Sequence, residues 1–111
     1  MSSFQNKVAL VTGSSQGIGK AIALLLAQNG ATVILNGRQQ EKLDLVKAEI
    51  ENLGGKAIAI AADVANYQQC QNLINQSIEH TQKIDILINN VGISSRGNIS
   101  DLHPDVLHQV F

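Results

Sequence analysis

Three glycines, an arginine, an aspartate and a pair of asparagines are the residues of this sequence whose types and spacing could do chemistry. The glycines fall in Thr12-Gly13-Ser14-Ser15-Gln16-Gly17-Ile18-Gly19, directly after the apolar run Val8-Ala9-Leu10-Val11 and ahead of a stretch with helical spacing. A glycine loop in that place lets backbone N–H groups approach a pyrophosphate, while the start of the helix supplies partial positive charge. The spacing is G-x-x-x-G-x-G, not the G-x-G-x-x-G of the general dinucleotide fingerprint; a tight turn without a ligand is the plainer alternative. Asp63 stands where an apolar strand hands over to a loop, the place where open parallel sheets bind ligands. As a helix cap or a turn residue it would need no ligand at all. Asn36-Gly37-Arg38 closes another apolar run and contains no acid that could accept from a ribose 2′-hydroxyl, whereas Arg38 could pair with a 2′-phosphate. An arginine simply solvated at the surface is the alternative there.

These residues need a scaffold that brings loop ends together, and the apolar pattern supplies one. Val8–Val11 is wholly apolar and rich in β-branched residues, which predicts a strand buried on both faces. Ile18, Ile22, Leu25 and Leu26 then recur at helical spacing, with a stop at Asn29-Gly30. Val33-Ile34-Leu35 predicts a second strand, and Leu43, Val46, Ile50 and Leu53 a second amphipathic helix that stops at Gly54-Gly55. A third strand over Ala57–Ala61, a helix through Leu73, Ile74 and Ile78, and a fourth strand over Ile86–Ile88 follow. Strand and helix alternate throughout, which predicts an α/β fold: a Rossmann-like, doubly wound parallel sheet of about four strands with crossover helices, incomplete at its far side. His103-Pro104-Asp105 predicts the opening of one more helix, running to Phe111 and leaving the outer edge of the fourth strand uncovered.

Composition narrows the function classes. The chain has 111 residues, 44% of them apolar and none of them Trp, so one domain with an aliphatic core is expected. A formal net charge of −1 with scattered Lys and Arg argues against nucleic acid as a partner. No apolar stretch is long enough to span a bilayer and the N-terminus lacks a signal-peptide layout, so no membrane partner is expected. The single Cys70 has no CxxC or Cys/His spacing for a metal; it predicts a small buried apolar residue and a reducing, cytoplasmic setting. His80, His103 and His108 show no metal-ligand spacing and no nucleophile pattern.

Taken together, Thr12-Gly13-Ser14-Ser15-Gln16-Gly17-Ile18-Gly19, Asp63-Val64 and Asn89-Asn90-Val91-Gly92 resemble the short-chain dehydrogenase/reductase family in motif, order and interval. The resemblance covers Lys7 to Phe111 and is closest in look to 3-oxoacyl-carrier-protein reductases. It implies that Gly13, Ser14, Ser15, Gln16, Gly17, Ile18 and Gly19 wrap the cofactor phosphates and that Asp63, with Val64 beside it, bonds the adenine. It also implies that the Asn89–Gly92 segment braces the sheet and lines the ribose and nicotinamide side, with Asn90 and Gly92 as contacts and Asn89 as either a brace for backbone groups near Thr12 or a further contact. The family usually has Ala where Val91 stands. Arg38 resembles the position where NADP(H) users carry arginine, while Gln16 fills a position where many of them have a second basic residue. NADP(H) is therefore the favoured cofactor, with NAD(H) as the alternative.

The family's hydride-transfer chemistry lies in a later Tyr-x-x-x-Lys pair with a Ser and an Asn. The only tyrosine here, Tyr67, is followed by Gln71 at that spacing and predicts an ordinary helix-surface residue. Ser94, Ser95 and Arg96 predict a plain polar loop. The resemblance thus makes residues 1–111 the N-terminal part of a single NAD(P)-binding Rossmann domain, with the catalytic C-terminal part absent. The whole protein would be a homo-oligomeric oxidoreductase acting on a small carbonyl or alcohol; the alternative is an inactive nucleotide-binding or interaction module from a truncated gene.

Overall fold

The structure, a computed structural model, describes residues 3–90 together with Gln109 and Val110. Its elements run β1 (Val8–Val11), α1 (Gly17–Gln28), β2 (Thr32–Gly37), α2 (Gln40–Asn52), β3 (Lys56–Ala61), α3 (Tyr67–Thr81), β4 (Ile86–Ile88) and β5 (Gln109–Val110). The four strands and three helices expected from the apolar pattern are all present. All pairings are parallel, in the order β3-β2-β1-β4-β5. The order follows from the preference for right-handed crossovers: winding outward through β2 and β3 keeps α1 and α2 on one face, and returning past β1 to make β4 puts α3 on the other.

Burial follows the two-residue period of the strands. Val8 and Leu10 of β1 point into a core with Ile34, Ile60, Leu73, Ile74 and Leu87, beneath α3. Ala9 and Val11 point the other way, joining Val33, Leu35 and Ile88 against Ala23, Leu26, Leu43, Val46 and Ile50 of α1 and α2. Both faces being covered explains why the inner strands read as unbroken apolar runs instead of alternating ones. Cys70 is buried in the α3 core and Tyr67 is exposed at the start of α3.

Two expectations are corrected. Ile18 and Leu25 belong to the apolar periodicity of α1, yet they are 72% and 60% exposed, and Leu53 at the C-cap of α2 is exposed as well. The buried face of α1 is Gly19, Ala23, Leu26 and Ala27; small side chains let the helix lie close to the loop that precedes it, and that contact sets its rotation. The second correction concerns the end of the chain, where a helix was expected through Phe111. Gln109 and Val110 instead form β5, in register with Leu87 and Ile88. Extended backbone there pairs N–H and C=O groups that β4 would otherwise leave open along its edge. The expected opening of that helix at His103-Pro104-Asp105 lies outside the described residues.

At the other end of the strands a buried carboxylate ties β1 to β4. Asp85, 7% exposed, accepts from the Val8 N–H at 2.8 Å and from Lys83 Nζ at 3.0 Å. Burial alone would raise its pKa, but the Val8 N–H, the Lys83 ammonium and the charge of Lys7 outweigh it and hold the carboxyl below its ordinary value. A carboxyl with a depressed folded pKa gives its full stabilisation above the unfolded value, about pH 4, and loses it as the pH falls through the lower folded value. Asp85→Asn should therefore cost about 1.5–3 kcal/mol at pH 7, the scale of a charge-assisted hydrogen bond. In urea denaturation the gap should narrow as the pH falls below about 4 and the native carboxyl takes up its proton; a gap that does not change with pH would contradict the assignment.

Candidate functional site

The loops after β1, β2 and β3 meet at the carboxyl ends of the strands and enclose a cleft of about 320 Å3, lined by Gly13, Ser15, Gln16, Asn36, Gly37, Arg38, Ala62, Asp63, Val64 and Ala65. Each segment arrives there because its strand ends there: Thr12 follows β1, Arg38 follows β2, and Ala62-Asp63 follow β3. Open parallel sheets bind ligands on this side.

The glycine loop is fastened by backbone and buried hydroxyls. Thr12, fully buried, donates through Oγ1 to the Ile88 carbonyl at 3.3 Å and accepts from the Asn90 N–H at 3.0 Å. The Asn90 side chain donates to the Gly13 carbonyl at 3.2 Å. A Cβ on Gly19 would lie 2.1 Å from that same carbonyl oxygen and 2.7 Å from Asn90 Nδ2. Gly17 adopts φ +63° with open space around it. The N-cap of α1, Gln16, makes no side-chain capping bond, and the first turn holds no acid. The leading N–H groups of α1 thus keep donor capacity and partial positive charge at the edge of the cleft. Lys20 in that turn pairs with Glu49 of α2 at 3.1 Å.

The far wall of the cleft carries one cation and one anion. Arg38 is exposed, with no carboxylate partner among the described residues. Asp63 is half-buried: its N–H donates to Gln69 Oε1 at 2.8 Å and its Oδ1 accepts from the Ala65 N–H at 3.0 Å. The helix-cap role belongs to Asn66, whose side chain accepts from the Gln69 N–H at the start of α3. Asp63 is a turn residue with one carboxylate oxygen in that turn.

Of the residues singled out in the sequence, Gly13, Ser15, Gln16, Arg38, Asp63 and Val64 come together around the cleft. Ser14 does not line it: the residue is fully buried, with its hydroxyl spent on Asn36. Gly17 and Ile18 are exposed at the helix start, and Gly19 is buried behind the loop. The brace expected of Asn89 is made by Asn90, while the buried Oδ1 of Asn89 has no hydrogen-bond partner among the described residues. Gly92, Val91, Ser94, Ser95, Arg96, His103 and His108 lie outside the described residues. Sequence reasoning missed Asn36, Gly37, Ala62 and Ala65 as lining residues. Among the described residues no cluster of His, Cys, Asp and Glu could hold a metal, and no helix is long and apolar enough to cross a membrane.

A family model for short chain dehydrogenases matches residues 7–111. A 3-oxoacyl-[acyl-carrier-protein] reductase from Synechocystis sp. is 46% identical over 95 residues, covering 85% of this chain and 38% of the relative. Among solved structures, a metagenomic short-chain oxidoreductase in complex with NADP superposes with a TM-score of 0.79 at 39% identity, over 83% of this chain and 42% of that one. A 7α-hydroxysteroid dehydrogenase complexed with NADH and 7-oxo-glycochenodeoxycholic acid superposes equally well, with a TM-score of 0.79 at 33% identity, over 88% of this chain and 40% of that one. The chain spans about two fifths of the length of the curated relatives it matches.

The two loop glycines should respond differently to a methyl group. Gly19→Ala forces α1 and the Gly13 carbonyl apart, since 2.1 Å is far inside any contact distance, and should destabilise the protein by about 2–3 kcal/mol as an overpacked site. Gly17→Ala meets no atom and should cost about 1 kcal/mol for its left-handed backbone alone. Urea denaturation of both variants checks the order; equal costs would mean that the close approach at Gly19 is relieved without effort.

Proposed function

The chain belongs to the short chain dehydrogenase family, and from that premise we propose that it is the cofactor-binding part of an NADP(H)-dependent oxidoreductase acting on a carbonyl or alcohol carbon. The observation that carries the cofactor reading is the cleft itself: an uncapped, acid-free helix N-terminus on one side and, on the other, an Arg38 with no carboxylate partner among the described residues, with no acidic residue in the sequence at the end of β2. The residues fit a 2′-phosphorylated dinucleotide. The backbone of Gly13, Ser15, Gln16 and Gly17 would take the pyrophosphate, because the helix start favours negative charge. Arg38 would take the 2′-phosphate through its planar fork of donors, and Asp63 would accept from the adenine amino group. By the family likeness Asn90, whose side chain donates to the Gly13 carbonyl, and Gly92 would contact the nicotinamide side of the cofactor.

When bound, the nicotinamide supplies or accepts the hydride that interconverts a carbonyl and an alcohol. This chain's own residues bind and orient it: the loop fixes the phosphates, Arg38 and Asp63 fix the adenosine end, and the strand ends exclude water from beneath. The cytoplasm suits a protein whose single cysteine is buried and reduced, and the whole enzyme would be a homo-oligomer. The likeness to a 3-oxoacyl-[acyl-carrier-protein] reductase and to a hydroxysteroid dehydrogenase supports a ketone or secondary alcohol as the reacting group.

Removing the arginine tests the cofactor. Arg38→Ala should weaken NADPH by about tenfold or more, since a charge-assisted bond to phosphate contributes about 1.5–3 kcal/mol. NADH, lacking the 2′-phosphate, should change by less than about threefold on the same scale. Fluorescence titration with both cofactors measures the two losses side by side; equal losses, or none, would defeat the arginine assignment.

A further inference from the structure

Asn36 is a polar residue at the end of an otherwise apolar strand, 1% exposed, and its hydrogen bonds all run to segments that build the cleft. The β1–β2 ladder ends at Val11↔Leu35, because β1 then turns into the glycine loop. The next residue of β2 is Asn36, and Ser14 takes over as its partner. The Asn36 N–H donates to Ser14 Oγ at 2.9 Å, while the Asn36 carbonyl accepts from the Ser14 N–H at 2.8 Å and from its hydroxyl at 3.2 Å. On the other side the Asn36 amide donates through Nδ2 to the Ile60 carbonyl at 3.1 Å and the Ala62 carbonyl at 3.2 Å. Ser14 sits between two lining residues, Gly13 and Ser15; Ala62 is itself a lining residue and precedes Asp63.

We propose that Asn36 is a positioning residue for the cofactor: it holds the phosphate loop and the adenosine wall in one register, so that both ends of a 2′-phosphorylated adenine dinucleotide are met at once. The inference rests on the cofactor reading above. Its logic is that of linked sites. A ligand spanning two subsites gains over its fragments only while the subsites keep a fixed separation. Asn36 bonds to both halves, by its backbone to Ser14 and by its side chain to β3, and the neighbouring Gly37 carbonyl adds an acceptor for the Ala62 N–H at 2.9 Å. The residue type follows from the partners. Two carbonyl oxygens need two donor hydrogens, which the amide NH2 supplies and which neither a carboxylate nor an aliphatic side chain could. A carboxylate here would face both carbonyls with acceptors only.

The test uses two probes: 2′-AMP, which reaches only the adenosine wall, and 2′-phospho-ADP-ribose, which reaches both halves. In the unchanged protein the longer probe should bind at least about 30-fold tighter. Ser14→Ala removes the two hydroxyl bonds of the loop arm and keeps the backbone one; it should leave 2′-AMP within about threefold while cutting the advantage of the longer probe by about tenfold. Asn36→Ser removes both amide donors; it should weaken 2′-AMP as well and cut the advantage at least as far. A residue that served folding alone would lower the thermal midpoint and weaken both probes in proportion, leaving their ratio unchanged. A ratio preserved within about twofold in both variants therefore overturns the positioning role while leaving the cofactor reading intact. If the unchanged protein binds neither probe, the cofactor reading fails and the inference falls with it. Should Asn36→Ser not fold, the ratio in Ser14→Ala decides alone.

Discussion

At Gly19 the first turn of α1 comes so near the Gly13 carbonyl that no side chain fits between them, and much of the rest of the molecule is arranged by that contact. It rotates the helix so that Gly19, Ala23, Leu26 and Ala27 face inward and Ile18 and Leu25 face out. It also leaves the Gly13 carbonyl within reach of Asn90, which ties the loop to the end of β4. The leading N–H groups of α1 are then delivered to the cleft with no side chain of their own to satisfy them. Backbone geometry, not a reactive side chain, is what the glycine loop contributes.

The sheet turns that local contact into a site. Because β1, β2, β3 and β4 are parallel, their carboxyl ends lie on one side, and the loops that follow them have no other place to meet. The apolar layers on both faces hold the strand ends at fixed spacing, and buried polar groups tie the loops to them: Thr12 to β4, Ser14 to β2, and Asn36 to β3. Buried polar groups are tolerated where every bond is made, and full satisfaction also gives them a single geometry. The opposite end of the sheet carries its own tie, Asp85 with Val8 and Lys83, which joins β1 to β4 away from the cleft.

Much of this was legible in the residue order. Unbroken apolar runs such as Val8–Val11 mark strands covered on both faces, and Gly30 and Gly54 mark helix ends because the backbone turns left-handed there, at φ 99° and 86°. The cleft was legible in outline, since motif residues at strand ends converge once the sheet is parallel. What could not be read were choices made by tertiary contact. The rotation of α1 overrode its apolar periodicity, because a contact at Gly19 decides it and the bulky residues do not. That Asn90, and not Asn89, bonds to Thr12 and Gly13 depends on which way the chain leaves β4, and two adjacent asparagines carry no signal for that. Ser14 and Asn36 each had a visible cue, a polar residue inside or beside a buried apolar run, but their pairing across 22 positions is a consequence of register. The extended pairing of Gln109 and Val110 likewise answers to the open edge of β4, a demand that local helix signals near His103 do not contain.

The central claim is that the cleft at the carboxyl ends of β1, β2 and β3 binds a 2′-phosphorylated adenine dinucleotide. Backbone amide chemical shifts followed during titration with NADPH test it residue by residue. The account predicts saturable shifts at Gly13, Ser15, Gln16 and Gly17, at Gly37 and Arg38, and at Asp63, Val64 and Ala65, with the strand interiors undisturbed. Shifts confined to any other surface, or an unaltered spectrum at millimolar NADPH, would contradict it.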